Sequence, residues 1–129
     1  MALPSRILIV DDERPIVAIL TQAFEQDGHT VLTASDGIDC MNRMASFRPD
    51  VVIMDIMMPK LDGVEATRLI RRNQSYADTL IIALSARADE DTRARMKQAG
   101  ANIFMRKPFV IARLVERVQH LLTARSGLR

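Results

Sequence analysis

Four short segments carry side chains that could do chemistry together: Asp11-Asp12-Glu13, Asp55, Ser85 and Lys107-Pro108. Singly, each has an ordinary explanation. Paired aspartates can favour the start of a following helix, an Asp often ends a strand, a Ser can cap a helix, and a Lys is most often a surface cation. As a set they describe a site. Asp11, Asp12 and Asp55, if brought close, would raise one another's pKa unless a cation intervened. A hard divalent ion with oxygen ligands relieves that repulsion, and Mg2+ suits a site of few carboxylates, with Mn2+ as the alternative ion. Lys107 would present a compact ammonium to a phosphate-like oxygen. Only three of the 18 basic residues are Lys, and Arg106 stands immediately before this one. Ser85 could donate a hydrogen bond to the same anion. A divalent ion and Lys107 would balance the three carboxylates, so the charge added by a phosphoryl group on one of them can be absorbed.

Other chemistries lack their parts. There is no G-x-S-x-G sequence, and His29 and His120 fall away from these segments, so no acyl-transfer triad is expected. No phosphate-cradling Gly-rich loop is present, and Cys40, the one cysteine, makes neither a disulfide nor a thiolate metal site.

The elements that must position these residues follow from hydropathy. Ile7-Leu8-Ile9-Val10, Val51-Val52-Ile53-Met54 and Leu80 to Leu84 are continuous apolar runs, as expected of parallel strands buried on both faces. Weaker runs at Thr30–Thr33 and Asn102–Met105 suit edge strands. Helix-period stretches lie between: one with Pro15 early and an end at Asp27-Gly28, one opened by Ser35-Asp36-Gly37 and stopped before Pro49, and one over about 63–72. A fourth runs from about Asp89 to Ala99 with Gly100 as its C-cap, and a fifth follows Pro108. This alternation predicts an α/β fold: a doubly wound, open, five-stranded parallel sheet with helices on both faces. In such sheets ligands bind beyond the carboxyl ends of the strands, which is where the four segments fall.

Composition bounds the rest. The chain has 129 residues, 48% of them hydrophobic and 26% charged, enough for one core and too apolar for a disordered chain. No apolar run could span a bilayer and no signal-peptide core is present, so a soluble, cytoplasmic domain without membrane contact is expected. The net charge of +2 hides a division: residues 1–67 carry 5 Lys/Arg against 11 Asp/Glu, and residues 68–129 carry 13 against 5. A basic half prompts a nucleic-acid reading, but no helix-turn-helix or other reader is recognisable, so direct contact with nucleic acid is not expected.

Taken in order, Ile9-Val10-Asp11-Asp12-Glu13, Asp55-Ile56-Met57-Met58-Pro59 with Asp62-Gly63, Ser85-Ala86, Gly100-Ala101 and Lys107-Pro108-Phe109 strongly resemble the receiver domain of two-component response regulators, in the CheY-like family. The resemblance implies the flavodoxin-like strand order 2-1-3-4-5, a receiver domain over residues 5–124 and a flexible tail over 125–129. It implies that Asp55 is the phosphoacceptor, served by a histidine kinase or a histidine phosphotransfer protein. Mg2+ would be held by Asp12, Asp55 and the backbone carbonyl of Met57, with Asp11 helping through water. Lys107 would contact the phosphoryl oxygens, with a cis Lys107–Pro108 bond. Ser85 and Phe104 would form the switch that remodels the fourth helix, fifth strand and fifth helix toward a downstream protein or output domain. Met57 and Arg87 would tune dephosphorylation. The domain would act as a monomer or a phosphorylation-dependent dimer, catalysing only its own phosphorylation and dephosphorylation. The alternative is an Asp-nucleophile, Mg2+-dependent phosphatase of similar fold, which needs a second Asp two residues after the nucleophile, where Met57 stands.

Overall fold

The computed structural model describes residues 4–87 and 89–125. Five strands, β1 (Arg6–Val10), β2 (Thr30–Ala34), β3 (Val51–Asp55), β4 (Leu80–Ser85) and β5 (Ile103–Arg106), form one parallel sheet in the order β2-β1-β3-β4-β5. The three continuous apolar runs are its inner strands. The two weaker ones are its edges, where one side of the ladder is open.

Five helices connect and follow the strands: α1 (Arg14–Gln26), α2 (Gly37–Phe47), α3 (Gly63–Arg72), α4 (Glu90–Ala99) and α5 (Ile111–Arg125). Alternation along each strand divides the core in two. Leu8, Val10, Val52, Met54, Ile81 and Ala83 pack under α2, α3 and α4. Ile7, Ile9, Val51, Ile53, Ile82 and Leu84 pack under α1 and α5. Successive strand residues point to opposite faces, so an apolar run with no polar alternation is what two covered faces demand.

Helix starts follow local polar chemistry. Asp36, Asp62 and Asp89 each cap a helix, accepting hydrogen bonds from the backbone N–H of Asp39 (2.8 Å), Glu65 (2.9 Å) and Thr92 (2.8 Å). Such a cap contributes about 1 kcal/mol. Pro15 occupies the first turn of α1, where no intrahelical donor is needed. Gly100 ends α4 at φ +116°, a conformation that disfavours any side chain.

The far end of α5 departs from the expected tail boundary. The helix runs through Arg125, whose guanidinium donates to the carbonyls of Asp50 (3.2 Å) and Asp78 (3.0 Å) and to Asp50 Oδ1 (3.1 Å). Those acceptors sit beside the starts of β3 and β4, and the three bonds hold the last turn in place. The other four residues of the expected tail lie outside the described residues. No helix among the described residues is long and apolar enough to cross a membrane.

Candidate phosphoryl and metal site

Because all five strands run the same way, their carboxyl ends share one rim. Asp11 follows β1, Asp55 ends β3, Ser85 ends β4 and Lys107 follows β5. One carboxylate oxygen each from Asp11, Asp12 and Asp55 can be drawn from a group lying within 4.8 Å of one another. Asp11 and Asp55 are buried, each only 4% exposed, while Asp12 is exposed. A hard cation of Mg2+ size wants such a set: oxygen donors, several carboxylates and one open side for water.

Lys107 reaches into this group. Its Nζ donates to Asp11 Oδ2 at 3.0 Å and to Glu13 Oε1 at 2.9 Å, and lies 3.5 Å from Asp55 Oδ1. Burial opposes its charge, but the hydrogen bonds to Glu13 and Asp11 and the charges of Asp55 and Asp11 outweigh that, raising its pKa. The ammonium is therefore charged at any physiological pH. Asp55 moves the other way from an ordinary carboxylate: burial, then the charge of Asp11, pushes its pKa up to about 6. Lys107 and the Met57 N–H, which hydrogen-bonds the carboxylate, only partly offset this.

The surrounding backbone fixes the rim. Asp11 N–H donates to Ala34 O (3.1 Å), and Asp11 Oδ1 accepts from Glu13 N–H (2.9 Å). Ile56 N–H donates to Leu84 O (3.1 Å), and Lys107 N–H to Ser85 O (2.8 Å). The Lys107–Pro108 peptide bond is cis. Gly63 lies against the end of β3, where a Cβ would stand 2.5 Å from the Asp55 carbonyl and 2.8 Å from Ile56 Cα.

The remaining residues singled out in the sequence lie around this core. Ser85 is fully buried, and its Oγ accepts from the Arg87 N–H at 3.0 Å while keeping a hydroxyl proton to donate. Met57, 55% exposed, and Arg87 line one groove beside the rim, with Met58, Thr92 and Arg95. Arg87 Nε donates to Asp89 Oδ2 at 2.8 Å, at the entry to α4. Phe104 is half-buried on the α4 side of β5, with the Arg93 guanidinium over its ring at 5.0 Å. Cys40 is buried inside α2, and burial pushes its thiol up to about 12, so it serves as a small apolar side chain.

The part of Glu13 was not read from the sequence, although it stands next to the two aspartates. Its signal was the third acid of that triplet, one residue before a helix that offers it no capping role.

A parallel α/β domain with a buried carboxylate, two further aspartates and a lysine gathered at one rim defines the class: a receiver-like signalling domain. The comparisons agree. Residues 7–119 match the model of the response regulator receiver domain. The chain is 38% identical over 125 residues to response regulator MprA of Mycobacterium sp. (strain KMS), covering 96% of this chain and 53% of that protein. It is 39% identical over 122 residues to the transcriptional regulatory protein PrrA of Mycobacterium leprae, covering 95% and 52%. Among solved structures, it is similar to the receiver domain of sensor histidine kinase PA1611 of Pseudomonas aeruginosa, solved with a magnesium ion coordinated in the active-site cleft. That match has a TM-score of 0.81 and 32% identity, and covers 93% of this chain and 98% of that one. The chain belongs to the response regulator receiver domain family. It spans about half the length of the curated relatives it matches.

Proposed function

We propose that this domain, over residues 5–124, is a phosphorylation-activated switch in the cytoplasm and that Asp55 takes the phosphoryl group. The observation that carries the reading is the Asp55 carboxylate itself, buried between Asp11 and Lys107 and short of countercharge in their presence. The donor is a phosphohistidine on a histidine kinase or phosphotransfer protein. Its N–P bond breaks as a bond forms from a carboxylate oxygen of Asp55 to phosphorus.

The cation fits the donor set: Asp12, Asp55 and the Met57 carbonyl would ligate Mg2+, with Asp11 through water. Bound there, the ion supplies positive charge to the phosphoryl oxygens. Lys107, 3.5 Å from Asp55 and tethered by Asp11 and Glu13, holds a second positive charge where a phosphoryl oxygen would come to lie. Placement and charge are most of what phosphoryl transfer asks of a protein.

Ser85 carries the consequence outward. Its free hydroxyl proton can be donated to a phosphoryl oxygen; moving Oγ to do so displaces the acceptor of the Arg87 N–H, and Arg87 is tied to the Asp89 cap of α4. Phe104, on the neighbouring strand and packed toward α4, shifts with it. The result is a two-state face of α4, β5 and α5, biased by a local charge change toward a downstream protein or an output domain. Met57 and Arg87, flanking the groove beside Asp55, set how readily water reaches the acyl phosphate. The phosphatase reading is weaker, because Met57 stands where a proton-delivering carboxyl would be needed.

Incubation with Mg2+ and acetyl phosphate should add one phosphate by intact mass, and Asp55→Ala should add none. An adduct that persists in that variant overturns the assignment.

A further inference from the structure

Of the eight methionines, seven lie among the described residues, and all but one of those are packed. Met44, Met54, Met58 and Met96 are buried in the core under α2, α3 and α4, while Met41 and Met105 pack against the edges of the two clusters. Met57 belongs to neither cluster and is 55% exposed. The other large apolar side chains exposed to a similar degree are Ile19, Ile38 and Val110, none of which carries an oxidisable atom. The place of Met57 is as particular as its exposure. It stands two residues after Asp55, and its N–H hydrogen-bonds the Asp55 carboxylate. Its side chain lines an open groove of about 360 Å³ beside the rim, together with Arg87 and Arg95.

We propose that Met57 is a redox-sensitive modification site: hydrogen peroxide converts its thioether to the sulfoxide, and the oxidised side chain shortens the life of the phosphoryl group on Asp55. The proposal rests on the receiver reading, since it names a regulation of that same site. In the step, a sulfur lone pair attacks one peroxide oxygen, and an S–O bond forms as the O–O bond breaks. The departing hydroxide takes the proton left on the transferred oxygen and leaves as water. Sulfur gives up two electrons and the peroxide gains them; a thiol-dependent methionine sulfoxide reductase reverses the change. Position decides both susceptibility and consequence. A sulfoxide at any buried methionine would set a polar group in a packed core, so the fold shields those sulfurs. At Met57 it enters a groove already shared with two guanidiniums and needs no repacking. There an apolar side chain that turns water away from Asp55 becomes an acceptor that holds water beside it, where hydrolysis of the acyl phosphate needs it. A soft-metal site fits less well, because the exposed sulfur stands alone and the one carboxylate of the groove, Asp62, is spent on capping α3.

The test treats the whole chain with hydrogen peroxide, removes the oxidant with catalase, then phosphorylates with acetyl phosphate and saturating Mg2+ and strips the donor. Peptide mapping locates the added oxygen, circular dichroism reads the fold, and intact mass follows the loss of phosphate. Met57 should be oxidised before any other described methionine, with the fold unchanged. The phosphate half-life should then fall by about threefold to tenfold, the rate factor of one added hydrogen bond to the attacking water. Methionine sulfoxide reductase should restore the half-life, and Met57→Leu, whatever its own half-life, should show no response to peroxide. Oxidation that spares Met57, a half-life left unchanged or lengthened by the sulfoxide, or an equal peroxide response in Met57→Leu overturns the proposal while the receiver reading stands. An untreated parent that takes up no phosphate overturns both.

Discussion

A carboxyl buried as deeply as Asp55 makes the fold sensitive to pH in a direction opposite to most acids. Its pKa rises from 3.8 in an unfolded chain to about 6 here. The stabilisation from its protonated form is complete below the unfolded value and is lost as pH climbs through about 6. At neutral pH the ionised group costs the metal-free protein on the order of 2–3 kcal/mol. Asp55→Asn keeps the shape and removes the charge, while Lys107 retains Asp11 and Glu13. With chelator present, the variant should therefore be more stable than the parent by about 1–3 kcal/mol at pH 7.5, the gain falling to about a third of that near pH 4.5 and vanishing below the unfolded pKa. Thermal melts across that range check it. A pH-independent difference would mean that the environment of Asp55 is not what raises its pKa. Lys107→Met should act oppositely, destabilising the metal-free fold at pH 7.5 because Asp11 and Asp55 are left buried without their cation. A melting temperature unchanged at that pH would remove Lys107 from the electrostatics of the pocket.

At the scale of elements, two junctions carry the pocket's shape. The start of α3 presses Gly63 against the backbone where β3 ends, so Gly63→Ala must displace either the helix or the peptide of Asp55. A cost of about 1–3 kcal/mol is expected, together with slower phosphorylation of Asp55, read from melts and intact-mass time courses. A variant as stable and as reactive as the parent would show that the loop yields freely. At its other end α3 is tied down by Arg71, which donates to Gly100 O, Tyr76 O and Asn102 Oδ1, each at 3.0 Å. Nothing in the sequence distinguishes that arginine from Arg72, because two of its three acceptors, on Gly100 and Asn102, arrive from a segment distant along the chain. The same holds for Arg125, read as tail although it joins α5 to the entries of β3 and β4. By contrast, the strands were legible because burial on both faces leaves continuous apolar runs, and the helix starts because Asp36, Asp62 and Asp89 cap locally. The acid and lysine positions were legible for a topological reason: parallel strands deliver whatever follows them to one rim. How Ser85 spends its hydroxyl depends on the turn leading to α4, which no local pattern encodes.

For the molecule as a whole, the division of charge along the chain is only partly a division in space. Asp11, Asp12, Glu13 and Asp55 gather at the rim, where the later basic excess supplies Lys107, while Asp50 lies at the opposite end of the sheet with Arg125. The two core clusters share one sheet, so the domain should unfold as a single cooperative unit, and binding at the rim should be felt globally. An ion bound only by the folded state raises its stability by about 2.7 kcal/mol at a hundredfold excess over the dissociation constant. In the proposed site that ion also relieves the repulsion that raises the pKa of Asp55, so Mg2+ and a proton compete for the same carboxylate. The melting temperature should therefore rise by several degrees with millimolar Mg2+ at pH 7.5 and by little at pH 5. Asp12→Ala should lose most of that rise, because it removes an exposed carboxylate without touching the core. Ca2+, larger and less suited to a site of few carboxylates, should give a smaller rise. A response to Mg2+ that is equal at both pH values, or unchanged in Asp12→Ala, would place the ion elsewhere and leave Asp55 without the countercharge its chemistry requires.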